Sequence, residues 1–312
     1  MNFRSSHKLF QRWTSLDLTE KTLANQVEKT GNILQTQEFL SPSKTEEITK
    51  LESNSSIKEK PDLLYVGVDG VMTPLNQTQG YKEAKVGVIF WSKDHKKAEG
   101  KRGVIRQREY VATLKSRAEF SQRVSQLYKQ VAASKATHTV VIGDGAHWIW
   151  SMASEQFPGS VEILDFFHLS EYVWAVAKAA HPQKEQAQKD WVKTQQQLLK
   201  KSQWQNVISN SHKFKRNRKN LIEAIDNLER YLTNNQSRID YQSYLKKGLM
   251  IGSGVVESSN RRVVTQRLKQ AGMHWSLIGA EGVMALRAAY LSNSHRWSSF
   301  WSERSTIKGK LA

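Results

Sequence analysis

Two stretches decide how this chain reads: Tyr65-Val66-Gly67-Val68-Asp69-Gly70 and Val140-Val141-Ile142-Gly143-Asp144-Gly145. Each is an apolar, β-branched run of strand length that stops at an aspartate followed by glycine. The first begins at Leu63-Leu64 and the second at Thr137-His138-Thr139. Working outward, a second strand is predicted over Ala84 to Trp91. A third fits Gln107 to Leu114, after the basic loop Lys96 to Arg102. Ala118 to Ala133 sets Phe120, Val124, Leu127, Tyr128 and Val131 at helical spacing. A helix from near Ala146 to just before Pro158 and a short strand, Val161-Glu162-Ile163-Leu164, follow.

Three strands, helix, strand, helix, strand is the order of an α/β, RNase H-like domain. Its first three strands can form an antiparallel meander, and its later strands must enter by crossovers. The expected fold is a mixed five-stranded sheet with flanking helices. Residues 61–168 form the first part of this core. Residues 169–247 hold no strand-like run and read as an all-helical insertion, rich in Gln and Lys. After the turn Gly252-Ser253-Gly254, residues 248–312 return to the core with helices expected at about 255–270 and 276–291. Residues 1–60 read as a polar helical region with a loop at Leu40 to Lys44 and a charged, Ser-rich linker from Ser53 to Pro61.

Composition narrows the function classes. The 312 residues include no Cys, which excludes disulfides and Cys-based zinc sites and suits a reducing cytoplasm. No apolar run approaches the ~20 residues of a membrane span. Met1 to Arg12 lacks a following apolar stretch, so no secretory signal is expected. The net charge is +18, from 47 Lys+Arg against 29 Asp+Glu, which favours a polyanionic partner, nucleic acid first. Between Lys178 and Lys219 there are eleven Lys+Arg against two acids, Glu185 and Asp190.

The acids carry the chemistry. Asp69 and Asp144 are each read as a lone carboxylate at the end of a strand. If those strands are parallel neighbours, the two carboxylates lie side by side. They would then repel each other unless cations sit between them. Hard cations such as Mg²⁺ take oxygen ligands. Taken singly, a strand-end Asp is commonly a turn-former or an N-cap. A third acid is Glu257, in Gly254-Val255-Val256-Glu257-Ser258, within the first turns of a helix for which Ser253 is a suitable N-cap. A first-turn acid also complements the helix dipole. The same helix carries Arg261, Arg262, Arg267 and Lys269, which suits phosphate contact. Asp165 and His168, in Asp165-Phe166-Phe167-His168, form a fourth motif, with a structural role as natural as a catalytic one.

Four stretches occur together and in order: Gly143 to Trp150, Ile163 to His168, Gly252 to Ser258, and Gln266 to Trp275. With the closing Trp297-Ser298-Ser299-Phe300-Trp301, they resemble the ISKra/ISLre group of prokaryotic insertion-sequence transposases, distant relatives of the Mutator-like elements. The resemblance covers about Leu63 to Trp301. It implies an RNase H-like core with a helical insertion before the last acid. It also implies a DDE triad mapping onto Asp69, Asp144 and Glu257, and an Asp-x-x-His motif mapping onto Asp165 and His168. Relatives often carry a longer N-terminal DNA-recognition region, so residues 1–60 are expected to be a reduced form of it.

The expected activity is therefore metal-dependent DNA cleavage and strand transfer of an insertion sequence, in the cytoplasm at the nucleoid. Two Mg²⁺ ions about 3.5–4 Å apart, with Mn²⁺ as a substitute, would be held by Asp69, Asp144 and Glu257. Double-stranded DNA, both element ends and target, is the expected partner, bound by a homodimer or higher oligomer and with no membrane. Lys213, Lys215, Arg216, Arg218 and Lys219 of the insertion would hold phosphates. Trp148, Trp150 and Trp275 could stack on frayed or flipped bases, although large aromatics are more often core. The competing readings are an RNase H-like nuclease and a truncated remnant that only binds DNA.

Overall fold

Leu64 to Val68 are buried in an unbroken run, and they form the first half of β1 (Leu63–Pro74). The computed structural model describes residues 6–8, 11, 18–40, 63–76, 80–96, 104–132, 136–215, 218–252, 254–270 and 273–309. The expected loop after Leu40, the linker Ser53 to Pro61, and most of the basic loop Lys96 to Arg102 lie outside the described residues, as do Arg216 and Ser253.

β1 pairs antiparallel with β2 (Tyr81–Trp91), in a register from Leu64↔Trp91 to Pro74↔Tyr81. A short ribbon of β3 (His95–Lys96) and β4 (Val104–Ile105) follows. β5 (Glu109–Thr113) then pairs antiparallel with β2, completing the expected meander. Both strands of the first hairpin outrun their apolar runs. β1 continues six residues past Val68, and Asp69 sits opposite Val86 in mid-strand rather than at the strand's end. Ladder hydrogen bonds satisfy the backbone whatever the side chains are, so the hairpin extends over polar residues that the apolar pattern leaves out. β6 (His138–Gly143) and β7 (Val161–Leu164) pair in parallel, Val140 facing Val161 and Gly143 facing Leu164. The fold is thus α/β, with a mixed five-stranded sheet and flanking helices.

The chain divides into two units, Met1–Thr139 with Val255–Ala312, and Val140–Gly254. In the first, α1 (Glu20–Leu40) and the later α10 (Leu277–Leu291) pack together, and α11 (Arg296–Gly309) adds Phe300 to the cluster of Leu34 and Ala289. α2 (Arg117–Ala132) buries Phe120, Val124 and Leu127, spaced four and three residues apart on one face. Each buried side chain of this size contributes about 1.5–3 kcal/mol relative to exposure. α9 (Gly254–Asn260) runs on through a π-helical turn, Arg261–Thr265, to a last turn at Gln266–Leu268, where one unbroken helix was expected. The wider turn lets Val263 and Val264 both be buried although they are adjacent in sequence.

The second unit is β6, α3 (His147–Gln156), β7 and then, among the described residues, helices alone: α4 (Phe166–Ala180), α5 (Glu185–Lys200), α6 (Trp204–His212), α7 (Lys219–Asn234) and α8 (Tyr241–Lys246). Its core is built from helical stripes. α4 buries Leu169, Val173, Val176 and Ala177, and α7 buries Leu221, Ile225, Leu228 and Leu232. Both follow the three- and four-residue spacing of an amphipathic helix, and the polar residues between them face outward.

Candidate functional site

Within the first unit, Asp69 meets α9. The side-chain amide of Asn260 donates to Asp69 Oδ2. The backbone N–H of Gly70 donates to Asp69 Oδ1 at 2.7 Å. The helix comes this close because Gly67 has no Cβ: one placed there would sit 2.3 Å from Val256 Cγ2. Val256 is buried, and Glu257 beside it is exposed, with no hydrogen bond or ion pair among the described residues. Glu257 and Asn260 are three apart on one helix, so they share a side of it. Asn260 is itself 7% exposed, and its Oδ1 is buried with no hydrogen-bond partner among the described residues. No local signal marked Asn260 beyond its spacing from Glu257.

Within the second unit, Asp144 follows β6 directly. Its Oδ1 accepts the Ala146 N–H at 3.0 Å, which starts α3 without a separate side-chain cap. The turn-forming role of Asp144 is therefore real, and it engages one of the two carboxylate oxygens. Gly145 takes φ +92°, and a Cβ there would lie 2.9 Å from the ring of Tyr231. The Tyr231 hydroxyl donates to the Asp144 carbonyl. Asp144 and His168 line one pocket of about 540 Å³, together with Tyr172, Tyr231 and Arg238. The Tyr172 and Tyr231 rings stack at 4.1 Å and 13°, and His168 meets both edge-on, at 5.9 and 6.1 Å. Burial, then the neighbouring Tyr172 and Asp144, push the Tyr231 phenol well above its ordinary range. Burial, with Asp144 and Glu171, raises Tyr172 as well. Both rings stay neutral phenols at any physiological pH.

Asp165 does something else. It is 8% exposed and caps α4, accepting the Phe167 N–H on Oδ1 at 2.8 Å, while its own N–H donates to the Gly143 carbonyl at 2.8 Å. Its motif partner His168 faces Glu171 at 3.5 Å. The two motif residues thus part ways: one builds the strand-to-helix corner and the other lines the pocket.

The basic candidates are mostly at the surface. Lys213, Lys215, Arg218 and Lys219 are exposed. Lys213 Nζ donates to Asn210 Oδ1 at 2.9 Å, and Arg218 donates to the Ala180 carbonyl at 3.3 Å. Arg261, Arg262 and Lys269 are exposed on the helix of Glu257, while burial lowers the Arg267 guanidinium below its ordinary value. Of the three tryptophans, Trp148, Trp150 and Trp275 are all buried, and Trp150 lines the pocket. A buried acid that sequence reading missed is Glu281 on α10, 3% exposed. Its carboxylate accepts from the Thr113 hydroxyl at 2.9 and 3.0 Å, and also from the Leu114 N–H and the Gln35 amide.

Among the described residues, no group of three or more His, Cys, Asp or Glu side chains gathers to hold a metal ion. No described helix is long and apolar enough to cross a membrane. The candidate donors still fit a hard cation by type. Mg²⁺ keeps several waters and is ordinarily held through one or two carboxylates plus substrate phosphate, so it does not require a closed protein cage.

Against known proteins, the chain is 25% identical over 259 residues to the "UPF0236 protein in vanSb 3'region" of Streptococcus gallolyticus. That span is 78% of this chain and 55% of the relative, so the chain spans about half the length of the curated relative it matches. Residues 5–305 match the family described as "Uncharacterised protein family (UPF0236)". With a match over that length, the chain belongs to the UPF0236 family.

Proposed function

We propose that this protein is a DDE-type DNA transposase, catalysing metal-dependent cleavage and strand transfer of an insertion sequence. The observation that carries the reading is the seat of Asp69. A strand carboxylate is oriented by Asn260, 191 residues away in sequence, from the helix that also bears Glu257. An acid aligned at such expense in chain topology suits a catalytic ligand better than a solvated surface charge. The in-order resemblance to insertion-sequence transposases from Leu63 to Trp301, and the charge of +18, support the same reading.

Asp69, Asp144 and Glu257 are the residues that would hold Mg²⁺ or Mn²⁺. When bound, the metal supplies a nucleophile at neutral pH and charge stabilisation at the transferred phosphoryl group. The chain's own part is positional. Gly70 and Asn260 fix the rotamer of the Asp69 carboxylate. The exposed cations Arg261, Arg262 and Lys269 would hold phosphates, and the basic residues between Lys213 and Lys219 would add a second such stretch. Water displaces the 3′ oxygen at an element end, and the liberated 3′-hydroxyl then attacks a target phosphodiester. Both steps are displacements at phosphorus, so one site serves both. Double-stranded DNA is the substrate, and a dimer or higher oligomer on DNA, acting in the cytoplasm, would pair the two ends.

The test begins with sequencing DNA on either side of the gene for inverted repeats bounded by a short target duplication. Purified protein, those ends and Mg²⁺ should give covalently joined strand-transfer products. Cleavage without joining would mark an RNase H-like nuclease instead. Binding without either would mark a DNA-binding remnant.

A further inference from the structure

We infer that the pocket beside Asp144 in the second unit is a binding site for a single unpaired nucleobase. This deepens the DNA-processing reading and rests on it. The walls suit a flat, neutral, aromatic group. Tyr172 and Tyr231 present a stacked pair of rings, both half-buried, with His168 set edge-on to them. Bases of any sequence stack on such surfaces. The pocket volume, about 540 Å³, falls in the range of sites that take small organic ligands.

Charge argues against a phosphate in the same place. Among the residues that line the pocket, Asp144 is the one acid and Arg238 the one guanidinium. Arg238 is already committed: its Nε is 2.6 Å from Glu162, and its guanidinium covers the Trp150 ring at 4.6 Å. With the arginine already paired, the lining offers a phosphate no uncommitted guanidinium, while a carboxylate and the neutral polar groups suit the exocyclic amines of a base. Hydrogen-bonding groups are at hand. Asn234 and His147 are exposed at the pocket. Trp150 lines it and is 5% exposed, yet its indole N–H has no acceptor among the described residues. A buried donor left unpaired is costly, and a ligand acceptor would satisfy it.

The pocket also lies where an extruded base would be useful. The Tyr231 hydroxyl holds the carbonyl of Asp144 itself, so the stacking surface and the proposed metal ligand are joined by one hydrogen bond. A nucleotide flipped out of the duplex and held here would anchor the strand next to that carboxylate. Enzymes that act on a DNA base hold the extruded nucleotide in such a pocket, by stacking on aromatic side chains and by hydrogen bonds to its edge.

The probe is a fluorescein-labelled oligonucleotide of abasic residues carrying one 2-aminopurine, compared with the equally labelled fully abasic strand and with a labelled duplex of equal length. Binding to the 312-residue chain is followed by anisotropy, and stacking by loss of 2-aminopurine fluorescence. The single base should tighten binding roughly 5- to 150-fold over the abasic strand, the range for one stacked base, with quenching. Tyr172→Ala should erase the difference and the quenching, and Tyr172→Phe should keep both. Equal affinity of the wild-type protein for the two strands overturns the inference, and that comparison needs no variant to fold. Persistence of the difference in Tyr172→Ala also overturns it. If the duplex binds while the two strands do not differ, the pocket assignment falls and the DNA-processing reading stands. If no DNA binds, both fall.

Discussion

Asn260 holds Asp69 from a helix 191 residues further along the chain, donating its amide to Oδ2 while the Gly70 N–H occupies Oδ1 at 2.7 Å. The contact ties a strand carboxylate to the helix that also carries Glu257. Asn260→Ala should therefore lower the cleavage rate by roughly 10- to 100-fold, the usual cost of losing a group that orients a metal ligand. Asn260→Asp should be worse, since two adjacent carboxylates disfavour ionisation of both. Steady-state cleavage by each variant, with Mg²⁺ titrated, gives the comparison. Full activity of Asn260→Asp would remove the residue from this role.

Asp69→Ala, Asp144→Ala and Glu257→Ala should each abolish cleavage and leave DNA affinity nearly unchanged, because the acids serve the metal and the basic residues serve phosphate. Electrophoretic mobility shifts alongside cleavage assays separate the two. A variant that cleaves at near wild-type rate is not part of the triad.

Asp165 should behave as a structural residue. Asp165→Ala removes the side-chain cap of α4 and should cost about 0.5–2 kcal/mol of stability. Asp165→Asn keeps the acceptor oxygen, so it should stay close to wild type in urea unfolding and at most slow cleavage. A loss of metal affinity in Asp165→Asn equal to that of Asp144→Ala would instead make it a ligand.

Glu281→Ala should be among the more destabilising single changes in the first unit. It strands the Leu114 N–H and the Thr113 hydroxyl in a site that is 3% exposed. Each unsatisfied buried group costs about 1–3 kcal/mol. Denaturant midpoints for Glu281→Ala and Glu281→Gln, which retains one acceptor, measure this. An unchanged midpoint for Glu281→Ala would show that water takes over the lost bonds.

Neutralising Lys213, Lys215, Arg216, Arg218 and Lys219 together should weaken DNA binding and flatten its salt dependence by ~0.9 per lost duplex phosphate contact. The four described members are exposed, as phosphate contact requires. Unchanged affinity and slope would assign this stretch to subunit assembly.

The sequence alone determined the class of the fold. Apolar runs of strand length and helical stripes are written locally, so β7, the antiparallel order of the first three strands and the strand-free stretch after Leu164 are all legible in it. Asp69 and Asp144 were also legible as candidates, because an acid ending an apolar run stands out, whereas Glu257 joined them through the family resemblance. Tertiary structure alone decided how such residues are held. It carried β1 through Asp69 to Pro74, because a paired backbone is satisfied without apolar side chains. It made Asp165 a cap and His168 a pocket wall, although they sit three residues apart. It brought Asn260 to Asp69, Glu281 to Thr113, and Tyr231 to Tyr172 and Asp144. Local periodicity specifies which face of an element is buried. It does not specify which distant element covers that face, and polar contacts made across such a junction leave no trace in the pattern of either partner.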